Sequence, residues 1–226
     1  MSNLHGKAFT FPGIPDSYVR LHPTVTLSGD IAAASVCLRY FSDMPEAERV
    51  QSFFSLATRK RFNGFLLSKK GNSSYYQIVG DAVGQFWGLP ADLNHWNSVC
   101  GTWDSDTGLS QVWVNGKPGA RKFVFKGGRL TGTPIVIIGL DQDAYGGGFY
   151  QIDAFIGQLT DVHMWDRVIA PCEINNYSED RKFQHGNLIN WHAAAYTTYG
   201  NVVEEKQIHS DLVKECRRTD DCCNLF

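Results

Sequence analysis

The chain has 226 residues and a formal net charge of −2 at neutral pH with histidine uncharged. That length suits one large domain or two small ones, and an all-β sandwich of this size commonly forms a single domain. Aromatic residues make up 13% and charged residues 19%, which excludes a disordered chain and supplies a sizeable core. The slightly acidic balance lacks the basic face of a nucleic-acid binder, so no nucleic-acid partner is expected.

Strand signals dominate in chain order. Ser35-Val-Cys-Leu-Arg-Tyr40 alternates, with Val36, Leu38 and Tyr40 on one face. Ser74–Val79 reads as a further strand. Gln111-Val-Trp-Val runs into an Asn115-Gly116 turn, and Lys122-Phe-Val-Phe-Lys126 is expected to return beside it as a hairpin. Pro134-Ile-Val-Ile-Ile138 is a buried strand, and Phe155–Trp165 another. Turn residues recur between these runs, and glycine totals 22, a pattern that predicts a sandwich or jelly roll. Pro171–Tyr177 carries proline at a helix start, an acid in the first turn, and Ile174 with Tyr177 on one face, so one short helix is expected there. Ser210–Cys216 reads as a second helix capped by Ser210. With no linker or repeat, the expected division is one domain over 1–203 and a cysteine-containing tail over 204–226. No apolar run approaches the roughly 18 residues that span a bilayer.

Six cysteines are present. Cys37 and Cys100 lie inside strand-like patterns and are read as a disulfide stapling two sheets, the alternative being two buried thiols. Cys172, Cys216, Cys222 and Cys223 fit no zinc template, and their pairing stays open. Two N-x-S sequons, at Asn72 and Asn176, together with the cysteines, point to secretion. The segment Met1-Ser-Asn-Leu-His5 has no apolar signal core, so either a signal has been removed or the protein is cytosolic. Tyr76, Phe86 and Trp87 are read as core. His95 and Cys100 are not a nucleophile pair, since no third group orients them. His163 is read as a hydrogen-bonded structural histidine, and Arg59-Lys-Arg61 as a solvated face.

The most informative segment is Gly139-Leu-Asp-Gln-Asp-Ala-Tyr-Gly-Gly-Gly-Phe149. A buried strand ends at Asp141 and Asp143 and enters a glycine loop. Carboxylates at i and i+2 with carbonyls beside them suit a hard, oxygen-binding cation such as calcium. The same two acids are also candidates for a glycosidase pair, although converging oxygens on a loop fit a metal better and no second acid motif accompanies them.

Together these residues resemble the pentraxin family. Val99-Cys-Gly-Thr-Trp103 matches the end of the family signature, His-x-Cys-x-Ser/Thr-Trp, with Ser98 where histidine is expected. Lys7-Ala-Phe-Thr-Phe11, Val112–Pro118, Gly139–Asp143, Gly146-Gly147 and Met164-Trp-Asp166 match in order, up to about Trp191. The resemblance implies a two-sheet antiparallel lectin-like jelly roll with one helix, a Cys37–Cys100 bond, secretion, and a cyclic homo-oligomer, most often a pentamer. It implies calcium held by Asn63, Asp141, the Gln142 backbone carbonyl and Asp143. Asp141 stands where the family has glutamate. Phe62 and Tyr150 replace two expected carboxylates, and Asp153 replaces a glutamine. Calcium takes 6–8 oxygens, so this set is expected to hold one ion, with affinity down to about 10⁻⁴ M; two, as the family holds, is the alternative, with fewer carboxylates to bind the second. The ligand implied is phosphocholine or a related phosphorylated or carbohydrate group, with Ser68 at the apolar-wall position and Asp81 at the cation-facing position. Complement components are further implied partners. The expected function is therefore calcium-dependent pattern recognition in innate immunity, by binding and not by turnover. A metal-independent adhesion module of the same fold is the alternative, and a jelly-roll glycosidase a weaker one.

Overall fold

A computed structural model describes residues 4–23, 29–44, 49–71 and 74–207. In chain order its strands are β1 (Lys7–Phe11), β2 (Tyr18–His22), β3 (Ala33–Phe41), β4 (Val50–Thr58), β5 (Arg61–Lys70), β6 (Ser74–Val79), β7 (Ala82–Trp87), β8 (Asn97–Asp104), β9 (Leu109–Val114), β10 (Lys117–Pro118), β11 (Lys122–Phe123), β12 (Ile135–Ile138), β13 (Gly157–Trp165), β14 (Ile189–Asn190), β15 (Ala195–Tyr199) and β16 (Val203–Lys206), with one α-helix, α1 (Pro171–Ser178). They form two antiparallel sheets. Sheet A runs β10-β9-β8-β3-β13-β1-β16, with β11 on β9 and β14 on β13; sheet B runs β15-β2-β12-β4-β5-β6-β7. The expected two-sheet jelly roll is what the chain forms, with one α-helix among the described residues.

The alternation that marks the strands is also what closes the sandwich. Val36, Leu38 and Tyr40 of β3 face the interior with Val136 and Ile138 of β12 and Phe65 and Leu67 of β5, all at most 1% exposed. A buried Val, Leu, Ile or Phe contributes roughly 1.5–3 kcal/mol. The alternate residues of β12, Ile135 and Ile137, face the other way and pack under Leu140, Ala154 and Phe149 on the outer face of sheet B. On the outer face of sheet A, Ile174 and Tyr177 of α1 lie against Trp165 and Ile169. The helix begins at Pro171, where Glu173 Oε2 accepts the Ala170 N–H at 2.8 Å and its carboxylate accepts from both terminal guanidinium nitrogens of Arg167.

The disulfide forms between Cys37 and Cys100, but it does not staple the two sheets. The two residues face each other directly in the β3–β8 ladder, with Cα atoms 4.1 Å apart, and the bridge lies under α1. The reason is parity. In a strand whose even residues Val36 and Leu38 fill the core, Cys37 must point outward.

The Asn115-Gly116 turn has positive φ at both residues, 50° and 73°, as a two-residue hairpin requires. The return is shorter than expected. Lys117–Pro118 and Lys122–Phe123 pair with β9, after which Phe125 leaves the sheet and stacks on Trp103 with centroids 5.9 Å apart. Trp87, expected in the core, is 60% exposed at the end of edge strand β7, with the Lys122 ammonium 5.2 Å above its ring. Phe86 is buried, and Tyr76 is half-buried. β16 carries the chain through Lys206 into sheet A, pairing Val203 with Thr10 and Lys206 with Lys7. Asn72, the expected helix over 210–216, and Cys216, Cys222 and Cys223 lie outside the described residues; Cys172 is exposed.

Candidate metal and ligand site

Strand β12 ends at Ile138, and Gly139 follows with a φ of 89°. A Cβ there would stand 2.2 Å from the Phe11 ring, so only glycine lets the chain turn at this point. The turn folds the next residues back over the outer face of sheet B. Ser55 of β4 meets them: its Oγ donates to Asp141 Oδ1 at 3.2 Å and accepts the Gln142 N–H at 3.2 Å. The Gln142 N–H also reaches Asp141 Oδ1 at 2.7 Å.

Gln142 is fully buried and anchors the loop with its side chain. Its Nε2 donates to the carbonyls of Ser55 at 2.9 Å and Ile135 at 3.2 Å, while Oε1 accepts the Gly146 N–H at 3.1 Å. Beyond it, Ala144 and Gly147 exchange backbone hydrogen bonds of 3.0 and 3.1 Å. Gly148 then passes so close that a Cβ would lie 2.7 Å from the Ala144 nitrogen. The sequence reading used only the carbonyl of Gln142; the side chain proves to be the pin that shapes the loop. Ser55 was missed altogether, because no local pattern marks a serine whose partner lies 86 residues away.

The loop gathers acids. Burial pushes the Asp141 carboxyl from an ordinary 3.8 up to about 6, and the charges of Asp143 and Asp153 push the same way. The bonds from the Gln142 N–H and Ser55 only partly offset this. Asp153 sits in the 3₁₀ turn Gln151–Asp153, its carboxyl raised by burial and by Asp143, with Arg49 opposing. Asp143 is exposed, and partial desolvation raises it too. None of the three carboxylates makes a salt bridge among the described residues. The structure thus places Asp141, Asp143 and Asp153 near enough for Asp143 and Asp153 to raise Asp141 and for Asp143 to raise Asp153, about a loop that the Gln142 side chain ties to β4.

Asn63 lies on β5, two places from β12 in the same sheet. Its Oδ1 is buried without a hydrogen-bond partner, and an orphaned acceptor costs about 1–3 kcal/mol. An orphaned amide oxygen and repelling carboxylates are the donor set that a hard dication satisfies, so these residues fit calcium.

The two ligand-contact candidates are placed differently. Ser68 is 1% exposed, in the ladder between Ser52 and Tyr76. Asp81 occupies the positive-φ turn between β6 and β7 and holds Arg61 at 2.8 Å. Arg61 is therefore no bare solvated cation, and the Asp81 charge is already partly spent. Apolar side chains with high exposure include Phe62 on β5 at 44%, and Tyr150 at 62% and Ile152 at 65% just after the loop in sequence. His95 is exposed and bonds the Leu93 carbonyl, and the disulfide removes Cys100 from any nucleophilic role.

Two antiparallel sheets, a helix on one outer face and an acid-bearing glycine loop on the other define a lectin-like jelly roll with a candidate cation site. Residues 7–205 match the profile of the Pentaxin family, and the chain belongs to that family. It is 35% identical over 210 residues to C-reactive protein of Oryctolagus cuniculus, covering 92% of this chain and 90% of the relative. It is 34% identical over 207 residues to serum amyloid P-component of Rattus norvegicus, covering 89% and 86%. The crystal structure of a native heptameric SAP-like pentraxin from Limulus polyphemus superposes with a TM-score of 0.79 at 24% identity, covering 91% of this chain and 97% of that one. That likeness concerns the fold.

Proposed function

We propose that this chain is a secreted, calcium-dependent pattern-recognition protein of innate immunity. The observation that carries the reading is the acid cluster at Asp141, Asp143 and Asp153 on a loop pinned by Gln142, with the orphaned Asn63 Oδ1 on the same sheet. Asn63, Asp141, the Gln142 carbonyl, Asp143 and Asp153 would hold one ion. Calcium bound there would supply the positive charge that attracts a phosphate or other anionic oxygen of a ligand. Gln142 and Ser55 hold the loop and the Asp141 carboxylate in place before the ion arrives, which limits the ordering cost of binding. Phe62 and Tyr150, where acids would complete a second site, leave too few carboxylates for two ions.

The ligand class is phosphocholine or a related phosphorylated or carbohydrate group. Asp81 would meet a ligand cation only in competition with Arg61, and Ser68 would act from beneath the surface, so the wall of the site differs from the one the family resemblance implies. Repeating one weak site around a cyclic homo-oligomer would turn modest affinity into avidity for a repetitive surface, and complement components are candidate partners of the assembled ring. The chain would act by binding, without turnover. The test is retention on phosphocholine resin in millimolar calcium. We expect elution by EDTA and no retention of Asp143→Ala; retention unchanged by excess EDTA refutes the metal-bridged mode.

The exposed Phe62, Tyr150 and Ile152 favour a second reading, a metal-independent adhesion surface. Calcium content of the purified protein separates the two.

A further inference from the structure

Four of the seven histidines meet at one place, on the outer face of sheet A. They come from four remote segments. His5 precedes β1, His163 lies on β13, His185 lies between α1 and β14, and His192 sits in the 3₁₀ turn Trp191–Ala193. Ring centroids are 4.5 Å apart for His5 and His192, 4.4 Å for His185 and His192, and 5.2 Å for His163 and His185. A cavity of about 150 Å³ opens among them, lined by His5, His192, Asp161, Asp180 and Arg39.

Side chains able to ligate a metal meet around this cavity. His5 Nδ1 and His192 Nε2 are 3.2 Å apart. The edge of a tetrahedron with metal–nitrogen bonds of 2.0–2.1 Å is about 3.3 Å. Donor atoms of Asp161 and His192 lie within 4.8 Å of each other, in a group that His163 completes. His163 is fully buried, and its Nδ1 accepts the Gly186 N–H at 3.3 Å. Its proton is therefore on Nε2, 3.1 Å from Asp161 Oδ1, so His163 orients the carboxylate and is a positioning residue. The other oxygen of Asp161 accepts from Arg39 Nε at 3.2 Å, and Asp180 stands 3.6 Å from the same guanidinium. Two carboxylates and one guanidinium leave the site with a net negative charge.

We propose that His5, His192 and Asp161, with His185 beside them and His163 holding Asp161, form a site for a borderline-soft divalent transition metal of the zinc class. Imidazole nitrogens select such metals over calcium, so this site is chemically separate from the acidic loop on the opposite face. Burial and the neighbouring histidines push His192 down to about 4, and burial with His163 and His5 lowers His185. When metal enters, it replaces the contact between His5 and His192 and ties the segment before β1 to β13 and to the turn after β14. Gln207, just past β16, lines the same cavity and donates its N–H to the Gly6 carbonyl at 2.9 Å, so the bound metal secures the β1–β16 edge.

The experiment uses untagged full-length protein, stripped with chelator, and zinc chloride as the probe. Equilibrium dialysis with metal counting should find one zinc per chain at this site, with Tm rising as zinc is added. Cobalt(II) should give the visible bands of a tetrahedral nitrogen–oxygen site. His192→Ala should weaken zinc at least about tenfold and abolish those bands, while Asp143→Ala should leave both unchanged. His5→Ala, in an exposed residue ahead of β1, gives the same readout should His192→Ala fail to fold. Absence of stoichiometric zinc, or binding unchanged in His5→Ala, overturns the proposal.

Discussion

Asp141→Asn tests the electrostatic account of the acidic loop directly. The folded carboxyl titrates near 6 against an ordinary 3.8, so the folded protein holds more protons than the unfolded chain between those values. Stability without metal must then fall as pH rises through that window and stay low above pH 6. A shift of about 2 units at 1.36 kcal/mol each gives about 3 kcal/mol. For a chain of this size that is roughly 6–12 °C in Tm. Asparagine keeps the oxygen that accepts from Ser55 and the Gln142 N–H and removes only the charge. Calcium-free Asp141→Asn should therefore melt higher than wild type at pH 7 and converge with it near pH 4. Because Asp143 and Asp153 are raised in the same direction, the variant keeps a shallower slope. Added calcium should raise the wild-type Tm and hardly move the variant. The assay is thermal unfolding from pH 4 to 7 with EDTA or millimolar calcium. A metal-free wild type with no pH dependence there, or a variant no more stable than wild type at pH 7, refutes the reasoning.

Asn63→Ala removes a buried acceptor that has no partner, so it should leave calcium-free stability unchanged or slightly higher while weakening calcium about tenfold by calorimetry. Gly148→Ala drives a Cβ into the Ala144 nitrogen at a residue with φ of 72°, so both calcium affinity and the urea midpoint of the metal-free protein should fall. Replacing both Cys37 and Cys100 by alanine opens a link spanning 63 residues and should cost about 4 kcal/mol in urea unfolding, without releasing one sheet from the other, since both cysteines lie in sheet A.

The strand alternation at Val36, Leu38 and Tyr40, the Asn115-Gly116 turn and the proline-led helix at Pro171 were all readable, because each is specified by neighbours within a few residues. The acids at 141 and 143 were readable for the same reason. The family followed from ordered short motifs, and with it came the two-sheet fold. Trp87 misled, because an aromatic at the end of an edge strand carries the same local signal as one in the core.

What the amino-acid order settled alone was several of the strands, the Asn115-Gly116 turn, the helix at Pro171, and which side chains of β3 share a face. Tertiary structure alone decided that the Cys37 pair faces outward under the helix, that Ser55 ties down Asp141, that Arg61 takes up Asp81, and that His5 meets His192 across 187 positions. The physical reason is range. Periodicity and turn chemistry act over a few residues, whereas these contacts form only once strand register brings distant segments together.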